Sequence, residues 1–65
     1  VKLYITFSDR GYGYYQSYAD SLDDFIAELK ENDFIKLYSK IPDKDVMFRC
    51  DTIISFYEAD NETDN

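Results

Sequence analysis

The chain has 65 residues, seven Lys and Arg against fourteen Asp and Glu, a formal charge of −7, no His, no Trp and one Cys. That length supports one small domain, which buries only about 60% of the surface its unfolded form exposes, and a lone Cys without His offers neither a disulfide framework nor an ordinary zinc site. The acid excess argues against nucleic acid or an anionic membrane as a direct ligand, since both rest on clustered Lys and Arg, and the absence of His removes the usual proton carrier near neutral pH.

The run Val1-Lys2-Leu3-Tyr4-Ile5-Thr6-Phe7 alternates, with Val1, Leu3, Ile5 and Phe7 on one face, which predicts a strand. Turn chemistry follows from Ser8 to Gly13, and Tyr14 to Ala19 reads as a second strand returning antiparallel. With a tight turn at Asp9-Arg10-Gly11, Ile5 opposes Tyr15, and Tyr14, Gln16 and Tyr18 join Lys2, Tyr4 and Thr6 on the outer face; a wider loop reverses those roles.

Ser21-Leu22-Asp23-Asp24 reads as a helix start, with an N-cap Ser and a carboxylate three positions on. Leu22, Phe25, Ile26 and Leu29 form one apolar stripe, and Asn32 ends the helix. Phe34 to Ile41 alternates again, Pro42-Asp43-Lys44-Asp45 is a turn, Val46 to Cys50 is a strand, and Ile53 to Tyr57 makes a last short one. The predicted fold is a single α+β domain over residues 1–57, a small, mainly antiparallel sheet in the order β-β-α-β-β-β with one helix on one face. Residues 58–65 read as an acidic, disordered tail. The tail carries Glu58, Asp60, Glu62 and Asp64, so residues 1–57 hold ten acids against seven bases, a charge of only −3.

One helix covers one sheet face, and the chain has more tyrosine than so small a core can use: seven Tyr in all. Tyr4, Tyr12, Tyr14 and Tyr18 are therefore expected on an exposed face that serves a protein partner or a homodimer. The second candidate surface is acidic. Asp24, Glu28 and Glu31 follow helical spacing, with Asp20 one turn earlier, and the row has a charge spacing comparable to that of phosphates along a duplex.

Enzyme signatures are absent from this reading. Asp23 and Asp24 diverge on a helix, Cys50 lacks a His partner, Asp43-Lys44-Asp45 departs from a calcium loop at the required Gly and Glu, and Gly11-Tyr12-Gly13 precedes a strand rather than a helix. The expectation is a non-enzyme with no catalytic residue, metal or cofactor. No run reaches the roughly 18 apolar residues of a membrane span, and a lone Cys without an export signal suits the cytoplasm.

The tyrosine-rich second strand (Tyr14-Tyr15-Gln16-Ser17-Tyr18), the Ser-Leu-Asp-Asp-Phe helix start and the Ile-Lys-Leu strand together resemble the small acidic uracil-DNA glycosylase inhibitor proteins of bacterial phages, over about residues 1–40 and as pattern rather than aligned identity. The resemblance implies a DNA mimic, dimeric in at least one branch, that blocks a DNA-binding cleft and captures a protruding apolar side chain. On that analogy Asp20, Asp24, Glu28 and Glu31 stand in for phosphates, while Phe25 and neighbouring tyrosines bound the apolar pocket. The expected function is a small acidic protein-binding module of phage or mobile-element type that occludes the nucleic-acid site of a host DNA-binding protein. The alternative is a self-associating structural module that uses the tyrosine face.

Overall fold

A computed structural model of the chain describes residues 1–59. The elements are β1 (Lys2–Phe7), β2 (Gly11–Ser17), α1 (Leu22–Glu31), β3 (Phe34–Ser39), β4 (Lys44–Arg49), a short 3-10 turn (Cys50–Thr52) and β5 (Ile53–Glu58). They form the expected α+β domain, in which all five strands make one sheet in the order β4-β3-β2-β1-β5 with every neighbour antiparallel.

The first hairpin has the three-residue length of the tight sequence reading but turns one residue earlier, at Ser8 to Arg10. Phe7 pairs with Gly11, Ile5 with Gly13 and Leu3 with Tyr15, so β2 begins three residues before the expected Tyr14. Gly11 sits at φ 90°, a conformation that costs glycine little and other residues more. The shift in pairing is two residues, so the faces keep their assignment: Tyr12, Tyr14 and Gln16 stand with Lys2, Tyr4 and Thr6. Tyr15 points inward instead, and its ring lies over Gly13, where a Cβ would come within 3.3 Å of it.

The core is built from the inner positions of alternating strands and the apolar stripe of the helix. Leu3, Ile5 and Phe7 of β1, Ile35 and Leu37 of β3, Phe48 of β4, Phe25 of α1 and Ala19 are all buried. Ser21 caps α1 as expected, its hydroxyl accepting from the Asp24 N–H at 3.2 Å, and Asn32 closes the other end by donating its backbone N–H to the Glu28 carbonyl. Phe25 meets Phe56 of β5 edge-on at 5.1 Å between ring centroids. At the opposite end Phe7 stacks on Phe48 at 4.6 Å, although β2 and β3 lie between their strands. Flat strands at about 4.8 Å spacing would hold those rings too far apart. The sheet therefore coils toward the helix side, which leaves its outer face convex. The Arg10 guanidinium closes that end of the core, 5.0 Å from the Phe48 ring.

β5 extends one residue beyond the expected boundary, through Glu58, and the Ala59 N–H donates to the Lys2 carbonyl at 2.9 Å. Glu58, the first residue assigned to a tail, thus belongs to the sheet, and Ala59 is hydrogen-bonded to it. The remainder of that segment, 60–65, lies outside the described residues.

Candidate functional site: two surfaces on opposite sides of the sheet

Strand alternation projects Tyr4 from β1 and Tyr12 and Tyr14 from β2 onto the convex face. The three rings meet there, with Tyr4 at the centre: 5.6 Å from Tyr12 and 4.8 Å, edge-on, from Tyr14. A fourth ring, Tyr57 of β5, packs 5.3 Å from Tyr4 on the other side. Tyr12, Tyr14 and Tyr57 are 72, 50 and 58% exposed, which at about 200 Å² per ring amounts to roughly 350 Å² of contiguous tyrosine surface. The Tyr4 hydroxyl is held above its ordinary pKa, first by its crowded, poorly hydrated position and then by the neighbouring phenols. Lys2 borders the cluster, its Nζ 6.0 Å from the Tyr14 ring centre.

Tyr18, the fourth tyrosine expected on this face, is not part of the cluster. It follows the end of β2, and its hydroxyl donates to the Asp45 carboxylate of β4, a bond that raises the phenol pKa. Tyr38 makes the same kind of bond to Asp43, with the same effect. Tyr18 instead lines a shallow cleft with Glu28, Asn32, Phe34, Ile35, Lys36 and Asp45. Tyr57 was the residue that sequence reasoning missed. Its signal was the alternation of Ser55 with Tyr57, but the face could not be fixed without the partner strand.

The acidic row lies on the other side of the sheet. Asp24 and Glu31 are exposed on α1, Glu28 is partly covered, and Asp20 is exposed in the bend before the helix. Among the described residues the ion pairs are Arg10 with Asp9 at 2.8 Å and Arg49 with Asp51 at 3.0 Å. These bonds lower the pKa of both carboxyls. None of the four acids of the row pairs with a described base.

Phe25 does not bound a surface pocket. It is fully buried beneath the helix, with the sheet between it and the tyrosine cluster, so the pocket implied by the family resemblance is not assembled from these residues. Cys50 is partly buried in the turn after β4, its N–H donating to the Asp33 carbonyl at 2.9 Å. Burial and the nearby Asp33 and Asp51 push its thiol pKa up, away from a reactive thiolate. Among the described residues no group of three or more His, Cys, Asp or Glu is arranged to hold a metal ion, and no helix is long and apolar enough to cross a membrane. Comparison with protein-family models, with curated proteins and with solved structures finds no significant match to this chain.

Proposed function

We propose that this chain is a non-catalytic protein-binding module whose recognition surface is the convex tyrosine face. The observation that carries this reading is the contiguous, exposed Tyr4–Tyr12–Tyr14–Tyr57 cluster. Tyrosine offers large contact area with only two side-chain torsions to freeze and a hydroxyl for a polar partner. A convex surface of this kind fits a concave site on another protein.

A second reading is favoured by the unpaired acidic row: the helix face engages a cationic, nucleic-acid-binding surface of a host protein and occludes it as a DNA mimic. The two surfaces face opposite ways, so they are separable by mutation. Tagged protein incubated with bacterial lysate, with and without excess duplex DNA, tests both. If the tyrosine face docks the partner, Tyr14→Ser with Tyr57→Ser loses capture by at least 30-fold, as expected for an interface hot spot, and DNA competes poorly. If the helix imitates DNA, Asp24→Lys with Glu28→Lys loses capture and duplex DNA displaces the partner. Capture unchanged in both double variants would sink the proposal.

A further inference from the structure

The two edges of the sheet are unequally protected. β4 forms one edge and carries Lys44, Asp45 and Arg49, the charged side chains that discourage strand pairing. β5 forms the other, reads Ile-Ile-Ser-Phe-Tyr-Glu, has Glu58 as its single charge and pairs regularly with β1 from Ser55 to Glu58, its register shift being confined to Ile54. Ile54 and Tyr57 on this edge are 65 and 58% exposed.

The pairing with β1 also shows which backbone groups β5 presents outward. Ala59 donates to the Lys2 carbonyl, and the register aligns Tyr57 with Tyr4 and Ser55 with Thr6. In an antiparallel ladder the residues that exchange hydrogen bonds alternate along the strand. Ser55, Tyr57 and Ala59 therefore turn their N–H and C=O groups toward β1, and Phe56 and Glu58 turn theirs to the open edge.

We infer that β5 is a homodimerisation edge, pairing antiparallel with β5 of a second copy about a two-fold axis at Phe56. Phe56 then exchanges hydrogen bonds with its own counterpart, and Glu58 of each copy lies opposite Ile54 of the other. The only charged residue of the strand never meets itself. Tyr57 of each copy faces Ser55 of its partner, so the row Tyr14–Tyr4–Tyr57 abuts Ser55 and Thr6 of the second molecule on the same face. A second copy rather than a foreign strand is the occupant because the strand is complementary to itself about Phe56, with Glu58 set opposite Ile54 and not opposite its own counterpart, and because a small domain without a disulfide gains most from added sheet. The assembly is closed: after pairing, only the charged β4 edges remain at the ends of the joint sheet. It uses the backbone edge of β5, which meets the tyrosine face only at Tyr57, and it does not depend on either docking reading.

Sedimentation equilibrium on the whole chain tests it, with backbone amide exchange as the second measurement. The wild type, 7.7 kDa as a monomer, is expected to form a reversible dimer as concentration rises. Ile54→Glu, which sets two like charges opposite each other at both ends of the pair, and Glu58→Pro should each raise the dissociation constant at least 30-fold, while Tyr14→Ser and Asp24→Lys leave it within about 3-fold. The Phe56 and Glu58 amides should gain protection only at concentrations where the dimer forms. A wild type that stays monomeric at millimolar concentration overturns the inference. So does a dimer that Tyr14→Ser abolishes and Ile54→Glu spares, an outcome that would leave the tyrosine face standing as the contact surface.

Discussion

Phe25 shows how a single side chain can be read two ways until its surroundings are known. It occupies the centre of the apolar stripe of α1, is fully buried and packs edge-on against Phe56. Its work is to join the helix to the last strand. Truncation to Ala should cost about 3 to 5 kcal/mol, the usual range for a core Phe, and in so small a domain that loss should leave the variant largely unfolded in urea titrations at room temperature. A variant that unfolds at the wild-type midpoint would contradict the packing described. Cys50 is the converse: a side chain whose chemistry suggests reactivity, held in surroundings that suppress it.

Among the elements, the helix was the most legible, because Ser21, the apolar stripe from Leu22 to Leu29 and Asn32 are all local signals and all appear where expected. The strands were legible in kind and less so in register. Whether Ile5 faces Tyr15 or Gly13 depends on where a three-residue turn falls, and it falls at Ser8 to Arg10, with Gly11 accepting positive φ just after it. Gly11→Ala would meet no atom within 4 Å, so its cost is backbone strain alone, about 1 to 2 kcal/mol. A thermal melt showing no loss would mean that the turn relaxes to another geometry. The placement of β5 beside β1 was not legible, since no local pattern says which edge a last strand will join. The membership of Tyr57 in the tyrosine cluster, and the separation of Tyr18 from it, both follow from that non-local pairing. Helical spacing made Asp24 and Glu31 readable as solvent-facing, whereas the partial cover on Glu28 and the row's lack of described ionic partners were not, because both depend on the whole topology.

At the scale of the molecule, the charge balance has a predictable consequence for stability against pH. Tyr4, Tyr18, Tyr38 and Cys50 all hold their protons more tightly in the fold. Stability from these groups is present below their unfolded values, about 8.5 for the thiol and 10 for the phenols, and is lost as pH rises through the folded ones. Asp9 and Asp51 are shifted down, so their contribution is present above about 3.9 and is lost as pH falls through their folded values. The melting temperature should be level from about pH 5 to 8 and decline on both sides. Continuous stabilisation above pH 9 would be incompatible with these environments. Phenol absorbance offers a site-resolved check, since Tyr4→Phe should remove one of the late-titrating groups.

The pairing of β1 with β5 brings Leu3 against Glu58, which spans nearly the whole described chain, while β1 with β2 and β3 with β4 are joined by short turns. Closing so long a loop carries the largest entropic cost of any contact in the sheet. The two hairpins and the helix can therefore assemble early, and β5 docks last. The same ordering governs opening: the strand that arrives last is the one whose release requires the fewest other contacts to break. When it leaves, Phe25 loses Phe56 and β1 becomes an unpaired edge, so the seam between the ends of the chain sets how often the native core is transiently laid open.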